Sequence, residues 1–357
     1  MQSAQQIILE RLLTTAMGQK ASDVHFTVGS QPAVRVDGQL RLLYEEQILQ
    51  EEFVQGIVQS LLKPEDLAML AEKKEVIIAY TFSNHMRAKV RVFMQQGFPS
   101  VIFQLMPSRP PQLALLGLPE SVQKITQVKK GLVIITGPYG SGRSTTALAI
   151  LEAINNSRAA YVITLEAPVE QVFADKKSVI DQREIGKDTP SFAAGLAHVA
   201  HEDVDVLFAD GISENADVRT IMEIAQGTTL VLLTLHANNT LLAIDTLMQA
   251  FPESQRAYAR ALLSEILVAV VAQRLISQTG GGRLVVAEVL LGTSAARALL
   301  REGRVQQLAT ILQTSREEGM TTLDRALADL VRSDRISRET AFANAQDEGV
   351  FQSLLKR

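Results

Sequence analysis

Residues 131–146, GLVIITGPYGSGRSTT, constrain the fold more than any other stretch of this chain. The run from Gly131 to Thr136 is apolar and β-branched, so it reads as a strand buried on both faces, the kind found in parallel sheets. Three glycines follow within six residues, and a helical pattern begins near Ser144. Strand, glycine-rich turn and helix start, in that order, aim backbone N–H groups and a helix N-terminus at an anion. The frame is GxxxxG[K][ST], with Arg143 where the pattern has Lys. It makes Gly137, Gly140, Ser141, Gly142, Arg143, Ser144 and Thr145 candidate phosphate-binding residues, with Ser144 the candidate Mg²⁺ ligand and ATP with Mg²⁺ the expected cofactors. The plain alternative is a tight strand-to-helix turn that holds no ligand. Arg143 keeps a positive charge but replaces a compact ammonium with a larger planar fork, so binding can survive a change that slows hydrolysis.

The surrounding pattern predicts an α/β fold. Apolar runs at 161–166, 204–210 and 230–236 alternate with helical stretches at 144–155, 191–201 and 217–226, which implies a parallel sheet covered on both faces. Beyond Asn238 the chain reads as mostly helical except for the run at 283–292. Upstream, residues 22–106 hold short β-like runs and one helical stretch at 51–72, the pattern of a small α+β domain. Four prolines between 107 and 119 mark a linker. The expected organisation is an N-terminal domain at 1–106, the linker at 107–119 and a nucleotide-binding core with a helical C-terminal region at 120–357.

Charge and composition narrow the partners. The balance of 35 Lys plus Arg against 39 Asp plus Glu supplies no global field for nucleic acid. Cys is absent, which removes disulfides, thiolate metal sites and thiol nucleophiles and fits a reducing compartment. The first apolar stretch is broken by Glu10 and Arg11, unlike a signal peptide. No apolar run approaches the roughly 20 residues of a membrane span. The expectation is a cytoplasmic protein without direct membrane insertion.

Several ordered segments resemble the PilT family, the retraction ATPases of type IV pili within the type II and type IV secretion ATPases. They are ASDVH at 21–25, the phosphate-loop segment, DQREIGKDTPSFA at 181–193, TLH at 234–236, GGGR at 280–283 and GMTTLD at 319–324. The resemblance implies an N-terminal PAS-like domain and a RecA-like core, assembled as a hexamer with nucleotide bound between the domains. It also implies an inner-membrane pilus platform protein as partner, with the chain peripheral to that membrane. The four-cysteine zinc insertion of extension and secretion relatives is missing, which points to the retraction branch. AARALLREG at 295–303 is similar to that branch's AIRNLIRE signature; as bare sequence it is an amphipathic helix with surface charges.

Against the family pattern, some chemical parts are kept and others replaced. The acidic segment EDPIE appears as EAPVE, keeping Glu166 and Glu170 while Ala167 takes the Asp position. Asp210 ends the strand 204–210, but the Glu that follows in the family aligns with Gly211; Asp210 either holds Mg²⁺ through water or caps the following turn. Two nucleotide-reaching Arg align with Ala197 and His201. His198 and His201 lie one helical turn apart, as a metal pair or as a solvated surface. His236 keeps the phosphate-contacting His of the family, or is a hydrogen-bonded structural residue, whereas an earlier His aligns with Thr229. Arg87, Lys89 and Arg91 alternate along one strand and share a face. Glu166, Asp210 and His236 are the candidate catalytic residues. The expectation is a nucleotide-binding ring protein with weakened hydrolysis, in a homo-hexamer or in a mixed hexamer with an active paralogue; the alternatives are a fully active retraction ATPase and a nucleotide-free scaffold.

Overall fold

The computed structural model describes residues 4–82, 87–106, 109–212 and 214–356. The chain divides into two compact units, Met1–Arg109 and Pro110–Arg357.

The first unit is a six-stranded antiparallel sheet with helices Ala4–Gly18, Glu51–Leu61 and Pro64–Lys73. Its strands are β1 (Ala21–Thr27), β2 (Ala33–Val36), β3 (Gln39–Leu42), β4 (Glu75–Thr81), β5 (Arg87–Gln95) and β6 (Phe98–Met106), in the order β3-β2-β1-β6-β5-β4. The stretch 51–72, expected as one helix, is two. Leu62 and Lys63 are extended, and Pro64, at the first helical position, disfavours the helical region for Lys63. In β5, Arg87, Lys89 and Arg91 alternate with the fully buried Ala88, Val90 and Val92.

The second unit carries the phosphate-loop segment. Its strands are β7 (Gly131–Thr136), β8 (Tyr161–Glu166), β9 (Val179–Glu184), β10 (Val206–Ala209), β11 (Leu230–Leu235), β12 (Leu267–Ser277) and β13 (Arg283–Leu291). They form one sheet in the order β13-β12-β7-β11-β10-β8-β9, parallel except for β13. Every residue of β7 is buried, and its side chains alternate between two cores. Leu132 and Ile134 pack on one face with helices Phe192–Val199, Asn215–Gln226, Thr240–Gln249 and Arg256–Ile266; Val133 and Ile135 pack on the other with Arg143–Ser157. The fold is the expected α/β class, with a smaller antiparallel α+β unit before it.

Two features depart from expectation. The region beyond Asn238, expected to be mostly helical before residue 283, contains the eleven-residue β12, which lies in the sheet between the edge strand β13 and β7. Helix Arg256–Ile266 runs into it with no Gly or Pro between, so no local signal marks the switch. The proline-rich segment also contributes to the second core, since Leu113 and Leu118 are buried there around the short 3₁₀ turn Leu113–Leu116.

Candidate nucleotide site

Because β7, β8, β10 and β11 are parallel, their C-terminal ends lie on one rim of the sheet, where open α/β folds place their ligands. The rim is tied together at β7. Thr136 Oγ1 donates to the carbonyls of Leu235 (3.1 Å) and Ala237 (3.0 Å). The loop that follows begins at Gly137, with φ +153°, where a Cβ would sit 2.3 Å from the Gln273 carbonyl oxygen and 2.5 Å from Ser141 Oγ. No larger residue fits. Pro138, Tyr139 and Gly140 form the exposed crest, Ser141 turns back into the protein, and Gly142 (φ +85°) caps helix Arg143–Ser157. Thr145 lies half-buried in the first turn of that helix.

Two clefts flank the loop. One, about 340 Å³, is bounded by Gly137, Pro138, His236, Asn238 and Leu242. The other, about 540 Å³, is bounded by Gly142, Thr145, Thr146, Leu275, Arg283 and Arg335. The buried hydroxyls of Ser141 and Thr146 have no hydrogen-bond partner among the described residues.

The charged residues converge from separate strands. Ser144 Oγ donates to Asp210 Oδ2 at 2.8 Å, and Thr234 Oγ1 donates to Asp210 Oδ1, so both carboxylate oxygens are held by hydroxyls rather than spent on a turn. Arg143 folds back over the rim. Its Nη1 donates to the carbonyls of Gly137 (3.0 Å) and Leu235 (2.7 Å), and its Nη2 lies 3.0 Å from His236 Nε2. A guanidinium has only donors, so Nε2 is the acceptor and carries no proton in this arrangement. Burial, then the Arg143 charge, lower the His236 pKa, while Asp210 opposes them.

Glu166 ends β8 and is 1% exposed. Thr164 Oγ1 (2.7 Å) and Gln182 Nε2 (3.2 Å) donate to its Oε1. Burial pushes its pKa up to about 7 against these two hydrogen bonds, helped by the charges of Asp210 and Glu170. Near neutral pH it therefore exchanges a proton, which suits a general base or acid. Ala197, His198 and His201 are exposed at the end of helix Phe192–Val199, and no group of three metal-ligating side chains occurs among the described residues.

Four side chains of this constellation escaped sequence reasoning: Gln273, Thr234, Gln182 and Thr164. Thr234 lay within a noted motif, and its register two residues before His236 was the available signal. Gln273 offers none, because the apolar run around it follows helix Arg256–Ile266 with no Gly or Pro to mark a strand.

Residues 2–281 match the family described as Type II/IV secretion system protein. The chain belongs to that family. Within this secretion-protein family, it is 33% identical over 338 residues to the type IV pilus retraction ATPase PilT of Pseudomonas aeruginosa, covering 95% of this chain and 98% of that one. It is 30% identical to the type IV pilus ATPase PilU of the same organism, covering 97% and 91%. The crystal structure of the pilus retraction motor PilT with bound ADP superposes with a TM-score of 0.84 at 33% identity, over 96% of this chain and 98% of that chain. The ATPase DotB of Legionella pneumophila, at 21% identity and a TM-score of 0.82, shares the fold. Among the described residues, no helix of this family member is long and apolar enough to cross a membrane.

Proposed function

We propose that this protein is a nucleotide-binding subunit of a type IV pilus retraction motor, that it assembles in six-membered rings, and that it hydrolyses ATP slowly in company with an active paralogue. One observation carries the reading. The phosphate-side parts, Gly137 to Thr145 with the Ser144–Asp210 pair, are complete on one rim, while the positions for further charge are Gly211, Ala197 and His201. The residues present fit MgATP: unpartnered hydroxyls of Ser141 and Thr146 border a glycine cradle, and a carboxylate stands beside the first helical Ser. Ser144 and Asp210 would hold Mg²⁺, which, when bound, offsets phosphate charge. Arg143 and His236, paired on the same rim, would lie beside the phosphates, and Glu166 holds or releases a proton near pH 7.

The missing cations matter most for rate. Loss of trans-acting Arg costs roughly 10³ to 10⁵ in phosphoryl transfer. A head-to-tail contact through which a neighbouring copy completes the pocket would build the ring, because such an interface closes when its rotation does. An inner-membrane platform protein of the pilus would receive the motion, which places the chain in the cytoplasm at that membrane. A second reading, a fully active retraction ATPase, is favoured by one observation, the near-neutral Glu166.

Turnover measured beside nucleotide affinity separates the readings. Micromolar-range binding with turnover far below the roughly 1 to 100 s⁻¹ of kinases supports the proposal; turnover within that range overturns it. Arg143→Lys combined with Ala197→Arg and His201→Arg should raise the rate above any single change, non-additively. Gly211→Glu is a poor addition, because at φ +88° a side chain costs about 1 to 2 kcal/mol of backbone strain.

A further inference from the structure

Gln273 lies in β12, 132 residues from the phosphate loop in sequence, and is 1% exposed. Its side chain reaches under the loop, where Nε2 donates to the Ser141 carbonyl at 2.8 Å. Its backbone carbonyl is the oxygen that excludes a Cβ at Gly137, and its Nε2 lies 3.3 Å from where a Cβ on Gly142 would sit. One residue of β12 therefore shapes the space beneath both ends of the loop. A buried carbonyl left without a donor costs about as much as a lost hydrogen bond, so the amide holds the Ser141 oxygen firmly inward.

That orientation has a consequence on the opposite side of the same peptide. The Ser141–Gly142 bond is not among the cis bonds of the chain, and in a planar trans peptide the C=O and the following N–H point in opposite directions. With the Ser141 carbonyl turned down to Gln273, the Gly142 N–H is turned outward, and the described residues offer it no acceptor. Gln273 Oε1 is buried and also unpartnered, so the amide's role here is donation alone. We propose that Gln273 is a positioning residue for nucleotide: by fixing the Ser141–Gly142 peptide it aims the Gly142 N–H at the bound phosphates. The proposal rests on the reading of 137–145 as a phosphate loop.

Gln273→Glu is the decisive variant, because it keeps the shape and replaces the donor by an acceptor facing the Ser141 carbonyl. Gln273→Met removes the donor without adding charge. At about pH 8, both should bind a fluorescent ATP analogue at least about tenfold more weakly than the parent, with the urea midpoint of each reported alongside. A protonated carboxyl donates again, so Gln273→Glu should regain affinity relative to the parent as pH falls from about 8 to about 5.5, and Gln273→Met should not. Parent-like binding by Gln273→Glu at the higher pH overturns the proposal. So does a loss in both variants that is independent of pH and tracks a lowered urea midpoint, the signature of a packing role. If the parent fails to bind the analogue, or Gly142→Val binds it equally, the phosphate-loop reading falls and takes this proposal with it; if the parent binds and only the Gln273 variants behave like it, the loop reading stands alone.

Discussion

Glu166→Gln should stabilise the protein above neutral pH and leave it nearly unchanged in mild acid. The carboxyl has an ordinary value of 4.5 and is pushed to about 7 by burial at the end of β8. In the folded state it binds its proton more tightly than in the unfolded chain, so between those two values the native state holds more protons and stability falls as pH rises. Below about pH 4.5 both states are protonated and the cost is absent; above about pH 7 both are ionised and it is complete. A difference of about 2.5 pH units at about 1.4 kcal/mol each amounts to about 3.5 kcal/mol. Gln keeps the acceptor for Thr164 and Gln182 and has no charge to desolvate. Urea denaturation of parent and variant from about pH 4.5 to about pH 8 should give curves that diverge by about 3.5 kcal/mol, or about 7 to 14 °C in thermal midpoint for a unit of this size. Parallel curves would refute the burial argument. ATP turnover of the same variant shows whether the buried carboxyl is retained for chemistry.

Arg297→Ala should be strongly destabilising, because its guanidinium donates to the carbonyls of Gly292 (2.7 Å), Glu265 and Leu267 (2.7 Å), closing the junction between helix Arg256–Ile266 and β12. Thermal denaturation should register about 3 to 5 kcal/mol, whereas the exposed Arg301→Ala in the same helix should stay within about 0.5 kcal/mol; equal small effects would show that the motif works through surface charge. Gly137→Ala should cost about 2 to 4 kcal/mol and abolish binding of a fluorescent ATP analogue, since its Cβ meets a backbone oxygen at 2.3 Å and a φ that side chains avoid; retained affinity in titration would contradict the tight loop.

Features that are contiguous in the chain could be read without a structure. The apolar run before Gly137, the glycine spacing and the helix start at Ser144 lie within sixteen residues, so their order alone implies a strand, a turn and a helix N-terminus. The alternation of apolar runs and helical stretches likewise implies the parallel α/β sheet. The helix–strand junction at Leu267 was hidden, because an apolar run without Gly or Pro satisfies both periodicities and only the free place beside β7 decides between them.

The functional surroundings of the loop were settled by the fold. Ser144 meets Asp210 across 66 residues, Arg143 meets His236 across 93, and Ser141 meets Gln273 across 132. These pairs exist because the sheet order sets β10, β11 and β12 around β7, an arrangement no local pattern encodes. The same holds for Glu166, whose pKa of about 7 comes from its burial at the end of β8, where it pairs with β9. Residue type supplied the carboxylate; desolvation by distant neighbours decided its proton affinity.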